Sequence, residues 1–259
     1  MIKGNVSILI TNYNKEKYLT RSIQSCLSQN FKNKEIFFFD DCSTDNSIKI
    51  LKKKNYNINI VYNKKKIFKS GPLNQIFAIY KIFKKSKGEI IFLLDSDDFF
   101  KKNKIDIIFK KFKNNKKLNF IQDRPYSIKY KKIISLKKKK FNYSIWPSFY
   151  PTSCIAVRRN FFYNFFKFSQ MSKFPNLEID ARLSIYAFLN NEFNILKNNL
   201  TVYNFDRHGI SSKYKKYSLG WWKKRKEAFE YMKILMKKKK LKFIYSFDYH
   251  LTKIINFFI

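Results

Sequence analysis

Glycine and proline number only five each in 259 residues, and neither G-x-x-x-x-G-K-[ST] nor G-x-G-x-x-G occurs. A glycine-rich backbone cradle for phosphate is therefore excluded. The three cysteines, Cys26, Cys42 and Cys154, are widely spaced, odd in number and form no C-x-x-C pair, so neither a disulfide framework nor a structural zinc site is suggested. A reducing, cytoplasmic setting fits that usage. No window of about 18 apolar residues appears, so a spanning helix is not expected. The short apolar run between Met1 and Ile10 lacks the length and cleavage site of a signal peptide. Arginine is scarce as well, with seven against 48 lysines. Readers of phosphate and base edges favour the planar guanidinium fork, which weakens a nucleic-acid reading of the net charge of +37.

Lys, Asn, Ile, Phe and Tyr are abundant, the profile of A+T-rich codons, so much of the charge reflects genomic drift. It still draws polyanions and anionic lipid surfaces. Hydrophobic residues at 45% argue against disorder, and the length suffices for one large or two small domains.

The first half alternates in character. Val6 to Ile10 reads as a strand, followed by the polar turn Thr11 to Asn14 and a helix over Tyr18 to Leu27. Glu35 to Phe39 is a second strand ending in Asp40 and Asp41; Ser43, Thr44 and Asp45 offer caps for a helix through Leu51. Ile58 to Tyr62 is a third strand. A helix over Leu73 to Phe83 is stopped by Gly88, and Glu89 to Leu94 is the fourth strand. This βαβ alternation predicts an α/β, Rossmann-like, doubly wound, mostly parallel sheet through about residue 112.

Beyond that the pattern loosens. Phe120 to Gln122 is compatible with a strand, Tyr126 to Phe141 with a hairpin or loop, and Ile155 to Val157 with a short strand. Leu183 to Leu189 and Trp221 to Met236 read as helices. Lys237 to Lys240 lead into an amphipathic tail, Leu241 to Ile259. With no internal repeat and no long linker, one domain over 1–259 is the simplest partition: a nucleotide half over 1–112, a smaller acceptor half over 113–220, and a helical, basic, amphipathic tail over 221–259.

The run Ile90 to Leu94 ends in Asp95-Ser96-Asp97-Asp98. Strand ends at this edge of a doubly wound sheet face a ligand crevice. If strand geometry continues, Asp95 and Asp97 project to one side and suit Mg2+ or Mn2+, whose other ligands are water and substrate phosphates. The alternative is that Ser96, Asp97 and Asp98 cap the helix beginning near Lys104.

Val6 to Asn14, then Leu19, Ser22, Ile23, Ser25, Leu27, Gln29, Glu35, Ile36 and Asp40 to Asp45, followed by Lys87-Gly88-Glu89 and Asp95 to Asp98, resemble the opening pattern of family 2 glycosyltransferases. These are inverting enzymes of the GT-A fold that use nucleoside-diphosphate sugars. The resemblance implies that Thr11 and Tyr13 line the nucleoside pocket, that Asp41 accepts a hydrogen bond from the base, and that Asp95 lies near the ribose and metal. Asp97 becomes the direct ligand of Mn2+ or Mg2+. Cys42 stands where the family often has Gly or another small residue.

The second half matches more weakly. The family's catalytic carboxylate corresponds to Asp180 or, failing that, Glu178, which Ile179 separates. Both also suit a helix N-terminus on electrostatic grounds alone. His208 resembles a family histidine that ligates the metal in some members, and Arg207 and Lys213 are candidate phosphate partners.

The resemblance implies a metal-dependent inverting transferase acting on a glycan or lipid-linked acceptor in bacterial surface polysaccharide synthesis. It implies a cytoplasmic protein with peripheral contact to the anionic inner membrane and no specific nucleic acid. The competing readings are a basic nucleic-acid-binding protein, a sugar nucleotidyltransferase, and a receiver-like phosphoacceptor. The first lacks a recognition motif, the second a Gly- and Arg-rich loop after strand one, and the third needs about half this length.

Overall fold

The computed structural model describes residues 5–136, 149–205, 209 and 214–259. The first half follows the βαβ alternation: β1 (Val6–Asn12), α1 (Glu16–Leu27), β2 (Lys34–Asp40), α2 (Ser47–Lys54), β3 (Asn59–Tyr62), α3 (Gly71–Lys85) and β4 (Ile90–Asp95). Then come β5 (Phe99–Phe100), α4 (Lys104–Asn114), β6 (Phe120–Ser127), β7 (Lys132–Ile133), a 3-10 turn at Thr152–Cys154, β8 (Ile155–Arg158) and α5 (Arg159–Phe168). The remainder is α6 (Ile179–Leu189), β9 (Phe193–Tyr203), α7 (Leu219–Lys238) and α8 (Phe247–Ile255).

One sheet runs in the order β3-β2-β1-β4-β8-β6-β9-β5, with β7 appended to β6. Its β3-β2-β1-β4 part is parallel, β8 lies antiparallel between β4 and β6, and β9 runs parallel to β6. The sheet is therefore mixed in its second half.

Period-two alternation sorts the strand side chains into two cores. Val6, Ile8 and Ile10 of β1, Ile36 and Phe38 of β2, and Ile90, Phe92 and Leu94 of β4 pack with Leu19, Ile23, Ile105, Ile108 and Phe112 from α1 and α4. Leu9, Phe37, Phe39, Ile91 and Leu93 face the other way, against α3, α5, α6 and α7. Helices cover both faces, which is why these strands read as nearly unbroken apolar runs.

Gly88 does not serve as a left-handed helix cap; no glycine among the described residues has a positive φ. A Cβ on Gly88 would lie 2.4 Å from the Ser7 amide nitrogen. Its N–H donates to Ser7 Oγ at 2.8 Å and to Glu35 Oε1 at 2.9 Å, so the missing side chain lets β4 enter flush beside β1.

Three elements escape the sequence reading. α5 is an aromatic stripe of Phe161, Phe162, Phe165 and Phe166. In β9 the polar Lys197, Asn198 and Asn199 interrupt any alternation, at the irregular register where Arg124 and Pro125 of β6 meet it. Proline donates no ladder hydrogen bond, which suits such an irregularity. β5 is only two residues long.

The two halves are joined through a buried ion pair. Lys104 at the start of α4 and Asp123 of β6 are both fully buried, with Nζ to Oδ1 at 2.7 Å. Lys104 also donates to Ser153 O at 2.7 Å and Thr201 Oγ1 at 2.6 Å, and Asp123 accepts from Leu200 N at 3.1 Å. Burial pushes the Asp123 carboxyl above its ordinary value despite Lys104. Removing one partner strands the other charge, so Lys104→Met should cost about 3–5 kcal/mol of unfolding free energy in urea titrations, while Lys104→Met with Asp123→Leu should recover most of it.

Candidate active site

The carboxyl edge of β1, β2 and β4 opens on a cavity of about 260 Å3. Strand parity decides which polar groups meet there. Thr11 and Asp95 are register partners on β1 and β4. Thr11 Oγ1 donates to Asp95 Oδ1 at 3.0 Å, and Gln75 of α3 donates to the same oxygen at 2.8 Å. Ser153 Oγ accepts from Asp95 N at 3.0 Å.

On the opposite face Asn12 donates to Asp40 Oδ1 at 2.8 Å and to Ser43 Oγ at 3.1 Å. Asp40 therefore braces the loop after β2, leaving Asp41 to line the cavity. The following Cys42 has a φ of 58°, a left-handed conformation that favours glycine. Its thiol donates to Asn63 O at 3.2 Å, and Asn63 Nδ2 donates to Asp41 Oδ1 at 3.4 Å.

β4 stops at Asp95; Asp98 N donates to Asp95 O at 2.9 Å, closing a turn over Ser96 and Asp97. Asp95 and Asp97 thus reach the same cavity by a turn and not by continued strand geometry. The alternative of caps for α4 fails, because β5 intervenes and Asn103 occupies the cap position. Asp98 accepts from Asn204 N at 2.7 Å and pins the end of β9.

From the second half, Glu178 and Asp180 at the start of α6 line the same cavity. Arg182, fully buried, donates to the carbonyls of Leu177, Ser169, Gln170, Lys173 and Phe174, and so fixes the loop that delivers them. Glu178 forms an ion pair with Lys224 of α7. Lys15 pairs with Asp97 at 2.8 Å, and Lys66 Nζ lies 3.3 Å from the ring centroid of Tyr13, a residue 43% exposed at the rim.

All the expected site residues within the described chain, Thr11, Tyr13, Asp41, Asp95, Asp97, Glu178 and Asp180, line this one cavity. His208, Arg207 and Lys213 lie outside the described residues. The sequence reading missed Lys15, Lys66, Lys69 and Gln75. The lysines were hidden among 48 of their kind, and Gln75 is legible only once α3 is placed against β4.

Burial, then the charge of Asp97, lifts Asp95 to about 6. Burial, then Glu178, lifts Asp180 to about 7, while Lys224 pulls it back. Burial likewise raises Asp41. Among the described residues no group of three or more His, Cys, Asp and Glu forms a protein cage for a metal. Two hard carboxylates at a cavity edge still fit Mg2+ or Mn2+, which take their other oxygens from water and phosphate.

The fold is the GT-A architecture. The family model described as glycosyl transferase family 2 matches residues 7–172, and the chain belongs to that family. A Haemophilus influenzae protein described as an uncharacterized glycosyltransferase is 38% identical over 120 residues, 45% of this chain and 42% of that one. TuaG of Bacillus subtilis, a putative teichuronic acid biosynthesis glycosyltransferase, is 31% identical over 125 residues, 47% of this chain and 44% of its own length.

Among solved structures, Staphylococcus aureus TarS 1-349 in complex with UDP-GlcNAc aligns with a TM-score of 0.63 at 17% identity, covering 90% of this chain and 66% of that one. The mannosyltransferase PcManGT from Pyrobaculum calidifontis, in complex with GDP-Man and Mn2+, gives 0.56 at 13%, covering 91% and 64%. At these identities the likeness is one of fold. The chain matches less than half the length of these two curated relatives.

The raised Asp180 carboxyl has a consequence for stability. A carboxyl whose folded value lies above its ordinary 3.8 holds a proton more tightly when folded, so stability falls as pH rises from about 4 to about 7 and stays low above that. In EDTA, Asp180→Asn should raise the melting temperature by a few degrees at about pH 8, with the gain shrinking toward pH 5. A gain independent of pH would contradict the assignment.

Proposed function

We propose that the chain is an inverting glycosyltransferase that moves a sugar from a UDP-linked donor to a hydroxyl of a glycan or lipid-linked acceptor in bacterial surface polysaccharide synthesis. It acts in the cytoplasm, peripherally on the inner membrane. The observation that carries this reading is that Glu178 and Asp180, from the acceptor half, line the same cavity as Thr11, Asp41, Asp95 and Asp97. A base and a nucleotide site then sit within one substrate's reach.

In this reading Thr11 and Tyr13 line the nucleoside pocket and Asp41 accepts a hydrogen bond from the base. Asp95 lies toward the ribose. Asp97, with Asp95, holds Mn2+ or Mg2+, which when bound supplies positive charge to the diphosphate. His208 remains a candidate further ligand. Lys15, Lys66 and Lys69 add cationic charge along the cavity.

Asp180 accepts the proton from the acceptor hydroxyl as that oxygen attacks the anomeric carbon opposite the leaving diphosphate, a single in-line displacement that inverts configuration. Two features favour Asp180 over Glu178. Its carboxyl is lifted to about 7, near the range in which a general base works best, whereas Glu178 is engaged by Lys224.

Calorimetry with UDP and Mn2+ should show binding that EDTA abolishes and that Asp97→Asn removes; unchanged affinity in EDTA would overturn the metal assignment. Asp180→Asn should leave nucleotide binding intact and lower turnover on the order of a hundredfold or more. A larger loss in Glu178→Gln would transfer the role.

A further inference from the structure

Only one face of α8 packs on the fold. Tyr249 packs edge-on against Phe229 of α7 with centroids 5.3 Å apart, Thr252 is buried, and Asn256 donates to Trp222 O at 3.1 Å. Asp248 pairs with Arg225 on the same side. The opposite face carries Phe247, Leu251 and Ile254, at i, i+4 and i+7, and Phe257 and Phe258 follow directly after the helix; every one is exposed.

The exposure is extreme: 70% for Phe247, 85% for Phe257 and 80% for Phe258. Among the described residues, nine of the 20 exposed large hydrophobics fall in the last 19 positions. Scattered exposed apolar residues need no explanation, but a contiguous stripe at helical spacing marks a contact surface.

Charge identifies the occupant. A cleft of about 740 Å3 beside the stripe is lined by three lysines, Lys226, Lys233 and Lys253, against one acid, Glu230, together with Ile254, Phe257 and Phe258. Lys237 to Lys240 and Lys242 add further cations on the approach to α8, and Asp248, the one acid in 241–259, is already paired with Arg225. A helix with exposed aromatics on one side and lysines flanking them matches an anionic bilayer interface, where rings enter the acyl boundary and ammonium groups stay among the headgroups.

We propose that the outer face of α8 (Phe247, Leu251 and Ile254) together with Phe257 and Phe258 just after it and the surrounding lysines seats the protein on an anionic lipid surface. The contact itself is independent of catalysis. Its use in presenting a lipid-linked acceptor rests on the transferase reading.

The test is flotation of the full chain with phosphatidylcholine vesicles and with vesicles containing about a third phosphatidylglycerol at physiological salt. The chain should float with the anionic vesicles and not with the neutral ones. Phe247→Ser/Phe257→Ser/Phe258→Ser should bind roughly tenfold more weakly with an unchanged circular dichroism spectrum, because these side chains support nothing inside the fold.

Equal binding by both proteins would show attraction by bulk charge alone and overturn the proposal. So would absence of binding, or a wild-type dimer in sedimentation that the triple variant converts to monomer, since the stripe would then belong to a second copy. Loss of the transferase reading would appear elsewhere, as failure to bind UDP.

Discussion

The Lys104–Asp123 pair holds the two halves of the sheet in the arrangement on which the site depends. Lys104 enters from α4, Asp123 from β6, and Thr201 from β9, and the Ser153 carbonyl completes the ammonium's set of partners. Burying both charges is costly, and only a full set of hydrogen bonds makes such a pair tolerable. The return is positional. Ser153 Oγ accepts the Asp95 amide, so a contact deep in the second half fixes the backbone of the residue that ends β4.

The same economy of partners explains why the carboxylates at the cavity are proton-hungry in a protein of net charge +37. Most lysines stand in water, where they exert little force on a buried group. Asp95 and Asp180 respond first to their own burial and next to a neighbouring acid, and the cations that reach them, Lys15 and Lys224, lower them only in part. Lys224 itself shows the reciprocal effect: burial pulls it down, yet Glu178 and Asp180 together hold it above its ordinary value. An edge that gathers four acids, Asp95, Asp97, Glu178 and Asp180, against two paired lysines sacrifices stability to retain an attraction for cations and protons.

The β1-β2-β4 core was legible in the sequence because both faces of those strands are covered, which forces apolar runs that end abruptly in polar residues. Thr11, Asp41, Asp95 and Asp97 follow from those ends. Convergence of Asp95 with Asp97 was expected for the wrong local reason, since a turn closed by the Asp98 amide does what strand alternation was thought to do. β9 was illegible because its irregular pairing with β6 breaks the period, and α5 because aromatic residues are weak helix formers even when their spacing is helical. Arg182 could not be foreseen at all. Its five carbonyl partners lie between positions 169 and 177, and nothing in the sequence says that this loop folds back over a guanidinium.

α7 ties these parts together mechanically. Lys224, in its first turns, reaches the acid pair at the head of α6, while Arg225, Phe229 and Lys233 on the same helix hold Asp248 and Tyr249 of α8. The inner face of α8 is thereby fixed by an element whose Lys224 also pairs with a carboxylate of the cavity. Since both ends of that connection are side chains of one rigid helix, the orientation of the outer stripe relative to the mouth of the site is set by helix geometry and not by a loop. On the proposed reading, a membrane resting on Phe247 to Phe258 would therefore keep one orientation to the cavity, as repeated presentation of a lipid-linked acceptor requires.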